Sequence, residues 1–123
     1  MLFRSLWPGT IVVTSPESEL ESLREISPQA SLCQEAGVPY VLLPQTRLTG
    51  PQGPFVMNTV LCPRGLSGYV TRLLLEQRIP GKDTLNWQQA TLLGRSWHTW
   101  SWNQISPDQP WIRIFAEHAR VLR

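Results

Sequence analysis

The chain has few cysteines, little charge and no long apolar run, and each shortage excludes a class of protein. Two cysteines in 123 residues are too few for a disulfide framework. Because Met1–Val13 has no export signal, we expect both to be reduced thiols in a cytoplasm. No stretch approaches the roughly 18 apolar residues that a membrane helix needs. A net charge of +2, carried by scattered basic residues, predicts neither nucleic acid nor an anionic membrane as a partner.

The usual motifs of chemistry are also missing. Neither His98 nor His118 has a second histidine, a cysteine or a carboxylate at ligand spacing, so no metal site is predicted. No glycine-rich phosphate loop and no combination of serine, histidine and aspartate can be assembled. The sequence therefore predicts no cofactor.

The length and composition indicate one globular domain. Apolar residues make up 41% of the chain, which is enough to form a core without stabilisation by disulfide bonds or metals. We expect residues 1–14 to form an N-terminal tail, with a short strand at Thr10–Thr14, and residues 15–123 to form the domain. Eleven prolines and eight glycines predict short elements separated by turns.

Two segments have helical periodicity. Ser15 can cap a helix that starts at Pro16, and Leu20 and Leu23 would form its apolar stripe before Pro28 ends it. A second helix is predicted near the C-terminus, capped by Asp108 or Ser106 and with Pro110 in its first turn. Its apolar face consists of Trp111, Ile112, Phe115, Ala119 and Leu122.

The segments between the helices are typical of β-strands. Each is rich in β-branched, aromatic or leucine residues and ends near proline or glycine. The segments are Val38–Leu43, Phe55–Cys62, Tyr69–Ile79 and Leu85–Leu93. The gaps are too short for parallel crossovers, so we predict an α+β fold with a four-stranded antiparallel meander. The third segment is ambiguous, since Leu73–Leu75 is also compatible with the start of a helix.

Four of the six tryptophans lie within 15 residues, between Trp97 and Trp111. A soluble protein rarely exposes so much indole surface without a function, so the cluster has two interpretations. The rings form a packing layer between the sheet and the last helix, or Trp97, Trp100 and Trp102 anchor a partner protein.

Three segments resemble the prokaryotic family E of ubiquitin-conjugating-enzyme-like proteins. Ser15–Pro44 is similar to the family's first helix and strand, Phe55–Gly65 to a strand followed by a Pro-x-Gly turn, and Trp97–Trp111 to its tryptophan-rich stretch. The resemblance implies the ubiquitin-conjugating fold: an N-terminal helix, a four-stranded meander and a C-terminal helix. It also implies a bacterial ubiquitin-like modification system, plausibly in antiphage defence. The partners would be a ubiquitin-like modifier and its adenylating activating enzyme.

The chain departs from that family in its chemistry. It has no His-Pro-Asn turn, no cysteine between Pro63 and the C-terminus, and Asn103 where the family has a histidine. Transthiolation would have to use Cys62, with His98 as a proton shuttle and Asn103 as an oxyanion donor. A structural role is the favoured interpretation for all three residues. We therefore expect a non-catalytic or divergent relative that binds the modifier or its activating enzyme. The alternative is an assembly module, unrelated to modifiers, that binds a partner through its tryptophans.

Overall fold

The computed structural model of the protein describes residues 15–123, which form two helices and six strands. In chain order they are α1 (Pro16–Leu23), β1 (Ser31–Glu35), β2 (Val38–Gly50), β3 (Gly53–Cys62), β4 (Arg72–Leu75), β5 (Trp87–Leu92), β6 (Arg95–Trp100) and α2 (Trp111–Val121). The predicted tail 1–14 and its strand at Thr10–Thr14 lie outside the described residues.

All six strands belong to one antiparallel sheet in the order β1-β2-β3-β4-β6-β5. The prediction of a four-stranded ubiquitin-conjugating fold is therefore wrong. That fold combines a four-stranded sheet with a helix-rich core, whereas this domain is mostly sheet and its helices are 8 and 11 residues long.

The two unpredicted strands are held by tight two-residue turns. Ala36 and Gly37, with φ of 53° and 80°, join β1 to β2, and Leu93 and Gly94, with φ of 55° and 72°, join β5 to β6. Positive φ at both turn positions matches the right-handed twist of the flanking strands. A pair of residues that ends in glycine thus forms a hairpin here without the usual asparagine or aspartate.

Strand β2 continues beyond Pro44, where the prediction ended it. The pairing of β2 with β3 shifts register between Leu43 and Thr46, and Gln45 adopts a φ of 52°. A β-bulge accommodates proline because the bulge removes one ladder hydrogen bond. The Ser27 hydroxyl donates to the Pro44 carbonyl at 2.6 Å and ties the bulge to the turn after α1.

The third predicted strand is shorter than expected, and the fourth is close to its predicted bounds. Tyr69–Ile79 contributes only Arg72–Leu75, which is extended and pairs with both β3 and β6, so this segment is a strand and not a helix. The fourth segment forms β5 at Trp87–Leu92, inside the predicted Leu85–Leu93.

Both helices are present, and their first turns differ. The Ser15 hydroxyl accepts the Ser18 N–H at 3.2 Å, and Pro16 is the first residue of α1, as predicted. Helix α2 has Pro110 itself at the N-cap and no side-chain cap, so the prediction of Asp108 or Ser106 is wrong. The Ser106 hydroxyl instead accepts the Asp108 N–H, which stabilises the preceding turn.

The sheet has a hydrophobic cluster on each face. Both helices cover one face, where Leu23, Trp100 and Ile114 are fully buried. The other face has a smaller cluster around Trp97 and Val60. The sheet is curled toward this second face, since Glu35 of edge strand β1 accepts the N–H of Leu93, the residue after edge strand β5, at 3.1 Å.

Candidate functional site

Cys62, the predicted nucleophile candidate, is sealed inside the protein. It ends β3, pairs with Arg72 of β4 and has no exposed surface. Burial raises the pKa of its thiol, and the nearby Arg72 charge offsets this rise only in part. Because the thiolate is the reactive form, Cys62 in this state is an inert apolar side chain.

The structure does not bring His98 to Cys62. His98 of β6 lies opposite Leu75 of β4, whereas Cys62 of β3 lies opposite Arg72 of β4. Leu75 and Arg72 are three residues apart in the strand, so the two positions are separated by roughly 10 Å along β4. It also shares the helix-covered face with Trp100, whereas Cys62 belongs to the cluster on the other face. The two side chains cannot act on one reacting atom.

Asn103 lies at the same end of the sheet as Cys62, in the segment after β6. Its side-chain Oδ1 accepts the N–H of Val70 at 3.0 Å, and its side chain is exposed. The amide therefore anchors the loop before β4 to the segment that leads to α2.

A polar cluster that the sequence did not reveal surrounds Arg72, which is only 2% exposed. Its guanidinium lies 3.8 Å from the centre of the Tyr69 ring, and its Nη2 donates to Gln88 Oε1. Gln88 Nε2 donates in turn to Ser101 Oγ at 2.9 Å, and Ser101 shares a hydrogen bond with the Tyr69 hydroxyl. The cluster links β4, β5 and the end of β6.

The charges of this cluster are perturbed by their surroundings. Burial lowers the pKa of Arg72, whose Nε has no hydrogen-bond partner within residues 15–123. Hydrogen bonds with Ser101 and then Gln88 lower the pKa of Tyr69. Cation–π stacking and an amide oxygen thus stabilise this arginine where a carboxylate would be usual. Within residues 15–123 the side chains that hydrogen-bond to the Ser101 hydroxyl are those of Tyr69 and Gln88, and these bonds hold the end of β6 to β5 and to the loop before β4.

His118 of α2 is also buried, at 1% exposure. Its Nε2 lies 2.9 Å from the Thr71 hydroxyl. Its ring packs edge-on against the Trp100 ring, with the two ring centres 5.8 Å apart. Burial, helped by the Arg72 charge, lowers its pKa to about 4. Within the described part of the chain, its Nδ1 and the Trp100 Nε1 have no hydrogen-bond partner. His118 is therefore a neutral member of the core at physiological pH.

The three tryptophans predicted to bind a partner occupy three different environments. Trp97 is 1% exposed on the far face of the sheet, and its indole N–H donates to the Leu92 carbonyl at 2.9 Å. Trp100 is 2% exposed and packs under α2, edge-on to Trp87. Only Trp102 of the three is half-buried. In this conformation, Trp97 and Trp100 present no indole surface to a partner.

Trp102 lines a surface hollow of about 360 Å³ between the segment after β6 and helix α2. The opposite wall of this Trp102 hollow is formed by Glu117, Arg120 and Val121. An indole ring that faces a valine and an arginine can hold an inserted side chain by stacking, and the arginine can add a cation–π contact. The sequence carried no signal for this difference, because Trp102 lies two residues after Trp100, the spacing of a strand that continues, while β6 ends at Trp100.

No group of three or more metal-ligating side chains lies together within residues 15–123. No helix in that range is long and apolar enough to cross a membrane. No family model, curated protein or solved structure matches this chain.

Proposed function

We propose that the protein is a non-enzymatic protein-interaction domain that binds its partner at the Trp102 hollow. The observation that supports the proposal is the half-buried Trp102 ring in a hollow that Glu117 and Arg120 also line. Tryptophan and arginine are the residues most often responsible for binding energy at protein interfaces. Trp97 and Trp100 are buried in the two clusters of the domain and contribute to its stability.

The first partners to test are a ubiquitin-like modifier and its adenylating activating enzyme, in the cytoplasm of a bacterium. This part of the proposal is supported by the three family-like segments of the sequence alone, because the six-stranded sheet is not the conjugating-enzyme fold. The buried thiol of Cys62 favours a binding role over transthiolation. Unpaired Cys33 and Cys62 are compatible with a reducing compartment.

The test is to mix the protein with the modifier and activating enzyme encoded beside its gene and to measure binding by calorimetry. We expect Trp102→Ala to weaken binding about 30-fold, the scale of one interface hot spot. Val56→Ala is the matched control, because Val56 is 61% exposed on β3 and should leave the affinity unchanged. Equal affinities for the wild type and Trp102→Ala would refute the binding site.

A gel assay tests the non-catalytic part separately. After incubation with ATP, modifier and activating enzyme, we expect no thioester adduct that a reducing agent removes. An adduct that disappears in Cys62→Ser would show that the modifier is transferred to the Cys62 thiol. The domain would then be an enzyme.

The alternative, a module unrelated to modifiers, uses the same Trp102 hollow with a different partner. A neighbouring gene for a ubiquitin-like protein or an adenylating enzyme favours the first version, and its absence favours the second.

A further inference from the structure

Helix α2 exposes a row of arginines that its packing does not use. Arg113 and Arg120 are exposed on one side of α2, with Ala116 between them, and Arg123 is exposed two residues after the helix ends at Val121. The opposite side of α2, with Ile114 and its neighbours, is buried against the sheet. We name Arg113, Arg120 and Arg123 the arginine face.

The arginine face is continuous with the Trp102 hollow. A second hollow of about 370 Å³ is lined by all three arginines, Ala116 and Glu117. Glu117 and Arg120 line both hollows. A segment that places a side chain beside Trp102 therefore continues directly over the arginines.

More positive charge surrounds this face. Arg47 of β2 and Arg123 line a common groove on the other side of α2, and the Lys82 ammonium donates to the Arg123 carbonyl at 3.2 Å. Five of the protein's eleven basic residues thus lie here, while Glu117 is the acidic residue in the lining of these hollows.

No ion pair in the described part of the chain involves any of these five basic side chains. Within residues 15–123 the ion pairs are Arg24–Glu21 and Arg95–Glu76, and neither involves the arginine face. Residues 1–14 contain no aspartate or glutamate, so they cannot supply a carboxylate either. Guanidinium groups outside any ion pair of the described residues, beside a half-buried indole, are complementary to a partner with carboxylates.

We propose, on the basis of the binding function proposed above, that the occupant of this surface is an acidic segment of a partner protein. Its carboxylates pair with the arginine face while an apolar side chain enters the Trp102 hollow. A peptide fits better than a polyphosphate chain because the Glu117 carboxylate lies between the arginines. The Glu117 carboxylate would repel a continuous row of phosphates, whereas a peptide can place a neutral residue opposite it.

The experiment uses two synthetic probes of about 15 residues, designed as amphipathic helices with leucines on one side. One carries glutamates on its polar side, and the other carries glutamines at the same positions. Binding to the whole protein is measured by fluorescence anisotropy at about 50 and about 300 mM NaCl. We expect the acidic probe to bind at least about tenfold more tightly than the neutral one, and to lose most of that advantage at the higher salt concentration.

Charge variants locate the site. Arg113→Gln with Arg120→Gln should weaken binding of the acidic probe about tenfold. The control removes two charges elsewhere, Arg64→Gln with Arg78→Gln, and should leave binding unchanged. Both Arg64 and Arg78 are exposed and outside the hollows that the arginine face lines. Equal losses in both double variants would mean nonspecific attraction and would overturn the proposal.

The remaining outcomes separate this inference from the proposed function. If Trp102→Ala abolishes binding of both probes equally and the arginine variants change nothing, the hollow binds a partner but the acidic occupant is wrong. If the arginines matter and Trp102 does not, the acidic occupant stands and the Trp102 site fails. Tighter binding of a single-stranded oligonucleotide than of the acidic probe would also contradict the inference. So would self-association that disappears in Glu17→Gln with Glu25→Gln, because it would identify α1 and the turn after it, in a second copy, as the occupant.

Discussion

Acid should destabilise this protein through the buried imidazole of His118. The folded protein holds the pKa of His118 at about 4, against an ordinary value of 6.5. The unfolded chain therefore binds a proton more readily than the folded protein between these two values, and the free energy of unfolding falls as pH drops through this window. Above the ordinary value both states are neutral, and the full stability is present.

The size of the loss follows from the two pKa values. From about pH 8 to about pH 5, one histidine with this shift lowers the free energy of unfolding by about 2 kcal/mol. Glu76 is not an alternative source of this loss. Although its burial acts in the opposite sense, hydrogen bonds from Asn58 and Arg95 leave its pKa below 4.5, so its contribution is lost only at lower pH.

The assay is urea unfolding, followed by far-ultraviolet circular dichroism, at several pH values in this window. Between about pH 8 and about pH 5, we expect the free energy of unfolding of His118→Gln to fall by about 2 kcal/mol less than that of the wild type. His98→Gln removes the other imidazole and should leave the decline attributed to His118 in place. A His118→Gln protein whose stability declines as steeply as that of the wild type would refute the assignment of His118 to the core.

Three further predictions concern packing, thiol access and turns. Trp97→Ala should lower the free energy of unfolding by about 3–5 kcal/mol because it empties a fully buried site, while Trp102→Ala should cost at most about 1 kcal/mol, both by urea titration. A thiol reagent should label half-buried Cys33 in the folded protein and reach buried Cys62 only on unfolding, and rapid labelling of Cys62 would contradict its burial. Gly94→Ala should cost about 1 kcal/mol because the hairpin turn needs a φ of 72° there, and an unchanged melting temperature would count against that turn.

The helices could be predicted from local chemistry. Ser15 followed by Pro16 places the start of α1, and the apolar spacing from Trp111 onward identifies α2. These signals depend on neighbouring residues only. The predicted cap of α2 was wrong because Pro110 occupies the N-cap position. The Ser106 hydroxyl accepts the Asp108 N–H in the turn before the helix.

The sheet could be predicted only in part because two strands carry weak local signals. Ser31–Glu35 is mostly polar, and as an edge strand it buries little that would show in the sequence. No strand was predicted for β6 because its tryptophans are not spaced at regular two-residue intervals, although Trp97 and Thr99 lie on one face and His98 and Trp100 on the other. Recognising Leu93 and Gly94 as a hairpin turn would have recovered this strand.

The candidate site depends on tertiary contacts that the sequence does not contain. The spacing of Trp97, Trp100 and Trp102 did not reveal which ring remains accessible, because that depends on where β6 ends and where α2 returns. The polar cluster around Arg72 joins three strands and has no motif. The arginine face was hidden for a simpler reason, since its residues appear in the sequence only as scattered charges on an amphipathic helix.

Hydrogen–deuterium exchange of the protein with and without its bound partner tests the central claim most directly. The account predicts added protection at residues 102–105 and along α2, with no change in β1 or in the loop between β3 and β4. Protection confined to β1 or to that loop, with α2 exchanging as in the free protein, would contradict binding at Trp102 and the arginine face.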